Sequence, residues 1–431
     1  MKEPGQTRDF TLVAAGDLLL PEVFPSDLTL DPTVCRVMGH GDLTVANLEV
    51  PLTDRTESIG KFIAIRASPE CVEMLLSLHV DVVSLANNHA IDQGYSGARD
   101  TALLLSEKGI AFSGIGDTLS LSVEPVIISQ AGVSVAFFSA ASTLPLGFAA
   151  LLNRPGVAPI RVKTSLEMGE RLMENPGQSP VVRTEAEAED VEYLANAVTA
   201  AREAADVIVV SLHWGVPQQP FLADYQTPLA HRLIEAGADV VLGHHPHVLH
   251  GIEFYQGRPI LYSLGHLICD VQQVQPLLPE LKGPVLVQWN LSAVARLSLE
   301  DGRWSVLLTP ISIGEDGYPK AADEADFGRV LETIGQVEYF LRPFTRPWRL
   351  VVVGAAHIAQ PLATMANDAG FDVTIIDPRR SYATQTRFPS VNLVHDWPDT
   401  ALPNLSLDGR SAVIALSHDS KIDDPALTAA L

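Results

Sequence analysis

Five short apolar runs in this chain each end in side chains able to bind a metal ion, and that repetition limits the fold more than any other feature. Phe10–Ala15 leads into Gly16-Asp17, and Leu43–Ala46 leads into Asn47-Leu48-Glu49. Val80–Leu85 runs into Ala86-Asn87-Asn88-His89, Val207–Leu212 into His213-Trp214-Gly215, and Asp239–Leu242 into Gly243-His244-His245-Pro246-His247. A further run, Ile260–Ser263, is followed by Leu264-Gly265-His266. Runs of this length, bounded by Gly and polar residues, read as buried strands. Helical patterns at Pro69–Leu78, Gly94–Lys108, Glu185–Ala205 and Tyr225–Ala236 alternate with them, and Val123–Ser129 pairs with Val133–Ser139 across Ala131-Gly132. The alternation predicts a layered α/β fold. Ligands of open α/β sheets gather at the carboxyl ends of the strands, where the loops converge, so these strand ends predict one shared site.

The residue types indicate its chemistry. Asp17 and Glu49 offer anionic oxygen, Asn88 a neutral amide oxygen, and His213, His245 and His247 imidazole nitrogen. A mixed oxygen and nitrogen set without thiolate suits Mn, Fe or Zn, with Mg or Ca as further options. His245 and His247, two residues apart, are expected to face one side of an extended turn. Glu49 is the candidate bridge between two ions, the arrangement of two-metal hydrolysis. His89 follows Asn88, and a helical turn would put Asp92 on its face. Asp92 would then fix the tautomer of His89, which becomes the candidate general acid or base. Singly, each residue has an ordinary explanation: an Asp after Gly is a turn residue, and a lone buried His is usually structural. The run His244-His245-Pro246-His247 is the sharpest signal.

Composition narrows the partners. The 431 residues carry 52 acidic against 29 basic side chains, a formal charge of -23. Such a surface repels nucleic acid and anionic membranes, so neither is expected as a partner. Cys35, Cys71 and Cys269 are three in number and far apart, which fits neither a disulfide framework nor a zinc knuckle. No apolar segment of signal length precedes the first strand. Val133–Leu152 is apolar but holds Pro145 and Gly147, and reads as a strand and a loop rather than a membrane span. The expected location is cytoplasmic.

Residues 153–184, rich in Pro and Gly, read as an excursion or lid, and residues 284–313 as closing strands. Ala321–Tyr339 reads as a helix, Arg342–Pro347 as a linker, and a new unit opens at Trp348. The expected domains are thus 1–318, a helix and linker over 319–347, and 348–431. In the last, the strand Arg349–Val353 is followed by Gly354-Ala355-Ala356-His357-Ile358-Ala359, a helix, and a second strand Phe371–Ile376 ending in Asp377. This is the spacing of a dinucleotide-binding βαβ unit, with Gly354 at the turn and Asp377 for a ribose hydroxyl. Ala356 stands where the second Gly is usual.

The stretches Ala14–Asp17, Ala46–Leu52, Ser84–Gly94, Ser211–Gly215, Gly237–His247 and Tyr262–Gly265 resemble, in order, those of the CapA family of capsule and poly-γ-glutamate synthesis proteins. The resemblance covers about residues 9–270 and implies a four-layer α/β/β/α sandwich of the calcineurin-like metallophosphoesterase type. It implies Asp17 on a first ion, Glu49 bridging, Asn88, His213 and His245 on a second, His247 returning to the first, and His89 as proton donor. Leu19 stands where phosphoesterases carry a His, Glu49 where they carry an Asp, and His266 where the family usually has Asn. His266 is read as an added ligand, a second base or neutral variation. The family's members are usually membrane-anchored, and no anchor is read here.

Val351–Ala363, Asp377-Pro378-Arg379, Arg387-Phe388-Pro389, Ser417-His418-Asp419 and Asp424–Leu427 resemble the Rossmann domain of the XdhC family, the xanthine dehydrogenase accessory factors. That resemblance implies a nucleotide or molybdopterin ligand and a molybdoenzyme partner. Three functions follow as expectations. The first is a metal-dependent hydrolase of a phosphoester or peptide-like bond. The second is a metal-dependent peptide Cα epimerase using His/Asp pairs. The third is a non-catalytic accessory protein that binds molybdenum cofactor or nucleotide.

Overall fold

The computed structural model describes residues 9–25, 29–61, 63–168, 175, 179–270, 290–322, 349–369, 371–389, 391–405, 407 and 411–430. The chain divides into two compact units, Met1–Pro343 and Phe344–Leu431.

The first unit begins with β1 (Phe10–Leu19), α1 (Pro32–Met38), β2 (Leu43–Leu48), α2 (Val72–Ser77), β3 (Val82–Ser84), α3 (Gly94–Glu107) and β4 (Ala111–Ser113). It continues through β5 (Ile115–Gly116), α4 (Leu119–Val123), β6 (Val126–Gln130), β7 (Val133–Ala141), β8 (Gly156–Val157), β9 (Val162–Glu167), β10 (Val181–Ala186) and α5 (Ala188–Ala201). Then come β11 (Val207–His213), α6 (Gln226–Glu235), β12 (Val240–His244), β13 (Ile252–Tyr255), β14 (Arg258–Leu261), β15 (His266–Cys269), β16 (Leu291–Glu300), β17 (Arg303–Ile313) and β18 (Pro319–Ala321).

Two sheets result. One runs β18-β17-β16-β1-β2-β3-β4 with β15 also beside β1, and the other runs β13-β14-β12-β11-β7-β6. The period-2 alternation of the strands builds the layers. Phe10, Leu12 and Ala14 of β1 meet Val135, Phe137, Val207, Val209, Val240 and Leu242 of the other sheet in an inner core. The intervening residues point outward. Val13 and Ala15 pack with α1, α2 and Leu105 of α3. Ala136, Phe138, Ile208, Val210 and Val241 pack with α5 and α6. Each fully buried Val, Leu or Phe adds about 1.5–3 kcal/mol of burial, so three such layers of contact hold the four-layer α/β/β/α sandwich together.

The strands run further than their apolar runs. The run ending at Ala15 becomes a strand through Leu19, because β2 and β15 lie parallel on both sides and pair Asp17 with Asn47 and with His266. Gly16 is required there: a Cβ would stand 2.0 Å from the carbonyl oxygen of Gly265, just before β15. The helix expected from Glu185 starts instead at Ala188, since Glu185 and Ala186 pair with Lys163 and Val162 in the β9–β10 ribbon. Most of that ribbon, and β8 before it, lie within the described part of the 153–184 excursion. Pro319–Ala321, assigned above to a helix and linker, is a strand on β17, so the sheet extends past residue 318. The rest of the expected helix over 321–339 and the linker lie outside the described residues.

The second unit orders its parallel strands β21-β20-β19-β22, with β19 (Arg349–Val353), α7 (Ala359–Asp368), β20 (Asp372–Ile376), β21 (Asn392–Val394), α8 (Pro398–Asn404), β22 (Ser411–Ala415) and α9 (Ser420–Ala430). Leu350 and Val352 face α7, and Val351 and Val353 face α8 and α9, giving a three-layer α/β/α unit. No helix among the described residues is long and apolar enough to cross a membrane.

Candidate metal centre

The six side chains expected to share a site do meet, and the two sheets divide them. Asp17 lies on β1, Glu49 just past β2 and Asn88 in the turn after β3. His213 closes β11, and His245 and His247 follow β12. His213 Nε2 sits 2.7 Å from Asn88 Oδ1 and 3.4 Å from Glu49 Oε1. One donor atom each from Glu49, His213 and His245 lie within 4.8 Å of one another, and the same holds for Asp17, Glu49 and His247. Glu49 belongs to both groups. His247 Nε2 is 3.7 Å from Glu49 Oε1, and its Nδ1 is 3.1 Å from Asp17 Oδ2.

The turn that delivers the two histidines is not extended. His245 has φ 92° and His247 φ 58°, both left-handed, with Pro246 between them. Such backbone is costly for residues with a Cβ, and where it persists it is concentrated at working sites. The imidazoles still face one crevice, their ring centroids 5.5 Å apart, and His245 lies 4.7 Å from His213.

Asp17, Glu49 and His213 are all 0% exposed. Among the described residues no lysine or arginine forms an ion pair with Asp17 or Glu49; the side chains set against them are the imidazoles of His213, His244 and His247. Glu49 Oε1 is buried and accepts no hydrogen bond. Burial, with Asp17 beside it, pushes the Glu49 carboxyl well above its usual range. Burial also raises Asp17, but hydrogen bonds from His244 and His247 outweigh it and hold that carboxyl well below its usual range. Burial and the neighbouring rings drive His213 down, and His245 down to about 3, so both imidazoles are neutral, the form that ligates metal. Buried carboxylates without a cation are costly. Two carboxylates, an amide oxygen and neutral imidazoles around an unpartnered carboxylate oxygen fit a divalent cation.

Beside the cluster, Asp92 N–H donates to the His89 carbonyl at 3.0 Å, forming the expected turn. His89 Nδ1 lies 2.6 Å from Asp92 Oδ2, and Asp92 is 0% exposed. That contact fixes His89 with Nε2 turned away from Asp92.

Residues 11–271 match the family model described as bacterial capsule synthesis protein PGA_cap. The chain belongs to this family. It is 30% identical over 65% of its length to the PGA biosynthesis protein CapA of Bacillus subtilis, covering 63% of that protein. It is 34% identical over 54% of its length to a probable polyglutamine synthesis accessory protein of Mycobacterium tuberculosis, covering 57% of it. It is 27% identical over 68% of its length to the capsule biosynthesis protein CapA of Bacillus anthracis, covering 63% of it. The match therefore leaves more than a third of each relative without a counterpart. Residues 350–431 match the XdhC Rossmann domain.

The PGA_cap unit holds three further polar residues that sequence reasoning left out of the site. Asn47 is the hub, its Nδ2 lying 2.9 Å from Asp17 Oδ1, 3.5 Å from Glu49 Oε2 and 3.3 Å from His213 Nδ1. Its neighbours in the strand-end motif were the only signal for it. His244 Nδ1 lies 3.1 Å from Asp17 Oδ1. Lys61, from the irregular stretch between β2 and α2, places Nζ 2.8 Å from Asp92 Oδ1 and 3.1 Å from His89 Nδ1, and donates to the Asn88 carbonyl. Nothing in the sequence around Lys61 announces this.

In the Rossmann unit, Gly354 makes the expected turn, with φ 99° and Ser417 N only 2.5 Å from where a Cβ would stand. Asp377, expected at a ribose hydroxyl, is held by protein donors. It is 0% exposed, and its Oδ1 accepts from Arg379 N and Nε while its Oδ2 accepts from Ala355 N and Arg379 Nη2, all at 2.8–2.9 Å. Four donors use all the lone pairs of the carboxylate, so none is left for a ribose hydroxyl.

Proposed function

We propose that the PGA_cap unit is a metal-dependent hydrolase linked to capsule or poly-γ-glutamate, cleaving a peptide-like or phosphoester bond. One observation carries the reading: side chains from both sheets surround the buried Glu49 Oε1, which has no hydrogen-bond donor. Asp17, Glu49, Asn88, His213, His245 and His247 are the proposed ligands. A divalent ion held there supplies Lewis acidity and makes water a nucleophile at neutral pH. His89, held by Asp92, gives a proton to the leaving group from Nε2. Lys61 ties both to the turn after β3. The names of the relatives support the link to the polymer. The test is to supply the purified full chain with Mn and offer phosphomonoester, phosphodiester and γ-glutamyl substrates. Turnover of one class that EDTA abolishes is expected; none with any class, in protein shown to hold metal, overturns the hydrolase.

The match of residues 350–431 to the XdhC Rossmann domain favours a second reading for that unit, a molybdenum-cofactor ligand and an oxidoreductase partner. The saturated Asp377 predicts that NAD and NADP leave the fluorescence of the half-exposed Trp397 unchanged at about millimolar concentration, the weak end of specific binding. Saturable quenching by either would show that the Asp377 contacts open for a dinucleotide.

A further inference from the structure

The two subsites of the centre are not equally equipped. Around one position stand Glu49 Oε1, Asn88 Oδ1, His213 Nε2 and an imidazole nitrogen of His245. Glu49 is poorly occupied by protein donors: Oε1 accepts no hydrogen bond, and Oε2 has only Asn47 Nδ2 at 3.5 Å. Around the other position, among the histidines, cysteines and carboxylates of the described residues, stand Asp17, Glu49 and His247. Asp17 is already engaged on both oxygens. Oδ1 has Asn47 Nδ2 at 2.9 Å and His244 Nδ1 at 3.1 Å, and Oδ2 accepts from the His245 N–H at 3.1 Å.

Neither Leu19 nor His266, the two described side chains beside Asp17 in the strands, completes the poorer subsite. Leu19, two residues beyond Asp17, is buried in the outer core with Val13, Ala15 and the helices, away from the crevice. His266, paired with Asp17 across β1 and β15, stacks on His247 with centroids 4.5 Å apart and rings 1° from parallel. An imidazole ligates through a lone pair in its own ring plane. Two stacked parallel rings have no plane in common, so His266 does not share an ion with His247.

We infer that the centre loads in two unequal steps, one divalent ion binding tightly to Glu49, Asn88, His213 and His245 before a second binds weakly to Asp17, Glu49 and His247. The inference rests on the metal-centre reading above and adds an order of filling to it. His266 is a stacking support for His247 rather than a ligand.

The test is calorimetric titration of the metal-free full chain with Mn(II), with bound metal counted by equilibrium dialysis. The wild type should show two steps with affinities at least about tenfold apart, the scale that changes around metal ligands produce. His247→Ala should lose the weak step and keep the tight one within about twofold, whereas His245→Ala should weaken the tight step by more than about tenfold. Should His247→Ala fail to fold by circular dichroism, His247→Gln serves in its place. Two ions binding in one indistinguishable step, or loss of the tight step in the His247 variant, overturns the inference alone. No binding of Mn(II) by the wild type overturns the metal-centre reading with it.

Discussion

Replacing Glu49 with Gln is expected to strip the protein of metal at both subsites. Glu49 is the residue common to the two donor groups, and its Oε1 is the buried oxygen that no protein donor satisfies. Gln keeps the size and one carbonyl oxygen but removes the charge that would balance a divalent ion. Changes one shell further out already cost about 10–100-fold in metal affinity, so loss of the shared ligand should cost more than about 100-fold. Metal analysis of purified Glu49→Gln should find the protein folded and largely metal-free, with turnover lost in parallel. A variant that retains the wild-type metal content would remove Glu49 from the centre.

His89→Ala should behave in the opposite way, with metal content unchanged and kcat reduced about 10²–10⁴-fold, the usual worth of a placed general acid. His89 contacts Asp92 and Lys61 rather than the ligand cluster. A proton donor matters most when the leaving group is poor. The loss should therefore shrink toward unity on a substrate such as a nitrophenyl ester, whose leaving group departs without protonation. Equal loss on both substrates contradicts the acid role. An emptied metal site in His89→Ala would show that His89 holds the ion.

Most of this site could be read from residue order, because parallel strands give each ligand the same local context. Asp17, Glu49, Asn88, His213 and His245 all follow apolar runs, and sheet formation alone aligns the ends of such runs. The residues that escaped do so for definite reasons. Lys61 reaches Asp92 from an irregular segment 31 positions earlier, and no periodicity encodes that approach. Asp377 has the spacing of a ribose acceptor, yet Arg379 and the Ala355 amide occupy it, a matter of side-chain geometry. His245 and His247 share a crevice through left-handed backbone, where the spacing suggested an extended turn. Pro319–Ala321 is too short a run to distinguish from a helix start without its partner β17.

The division of the centre between the two sheets gives the choice of ion a mechanical meaning. Asp17, Glu49 and Asn88 offer only oxygen and belong to one sheet; His213, His245 and His247 offer only nitrogen and belong to the other. A borderline ion that accepts both donor types would therefore act as a rivet through the sandwich, while an oxygen-seeking ion such as Ca would leave the nitrogen half unfastened. Its binding energy then counts toward holding the layers together. At a free concentration about a thousand times its Kd it adds about 4 kcal/mol, a large share of the 5–15 kcal/mol that typically keeps a domain folded.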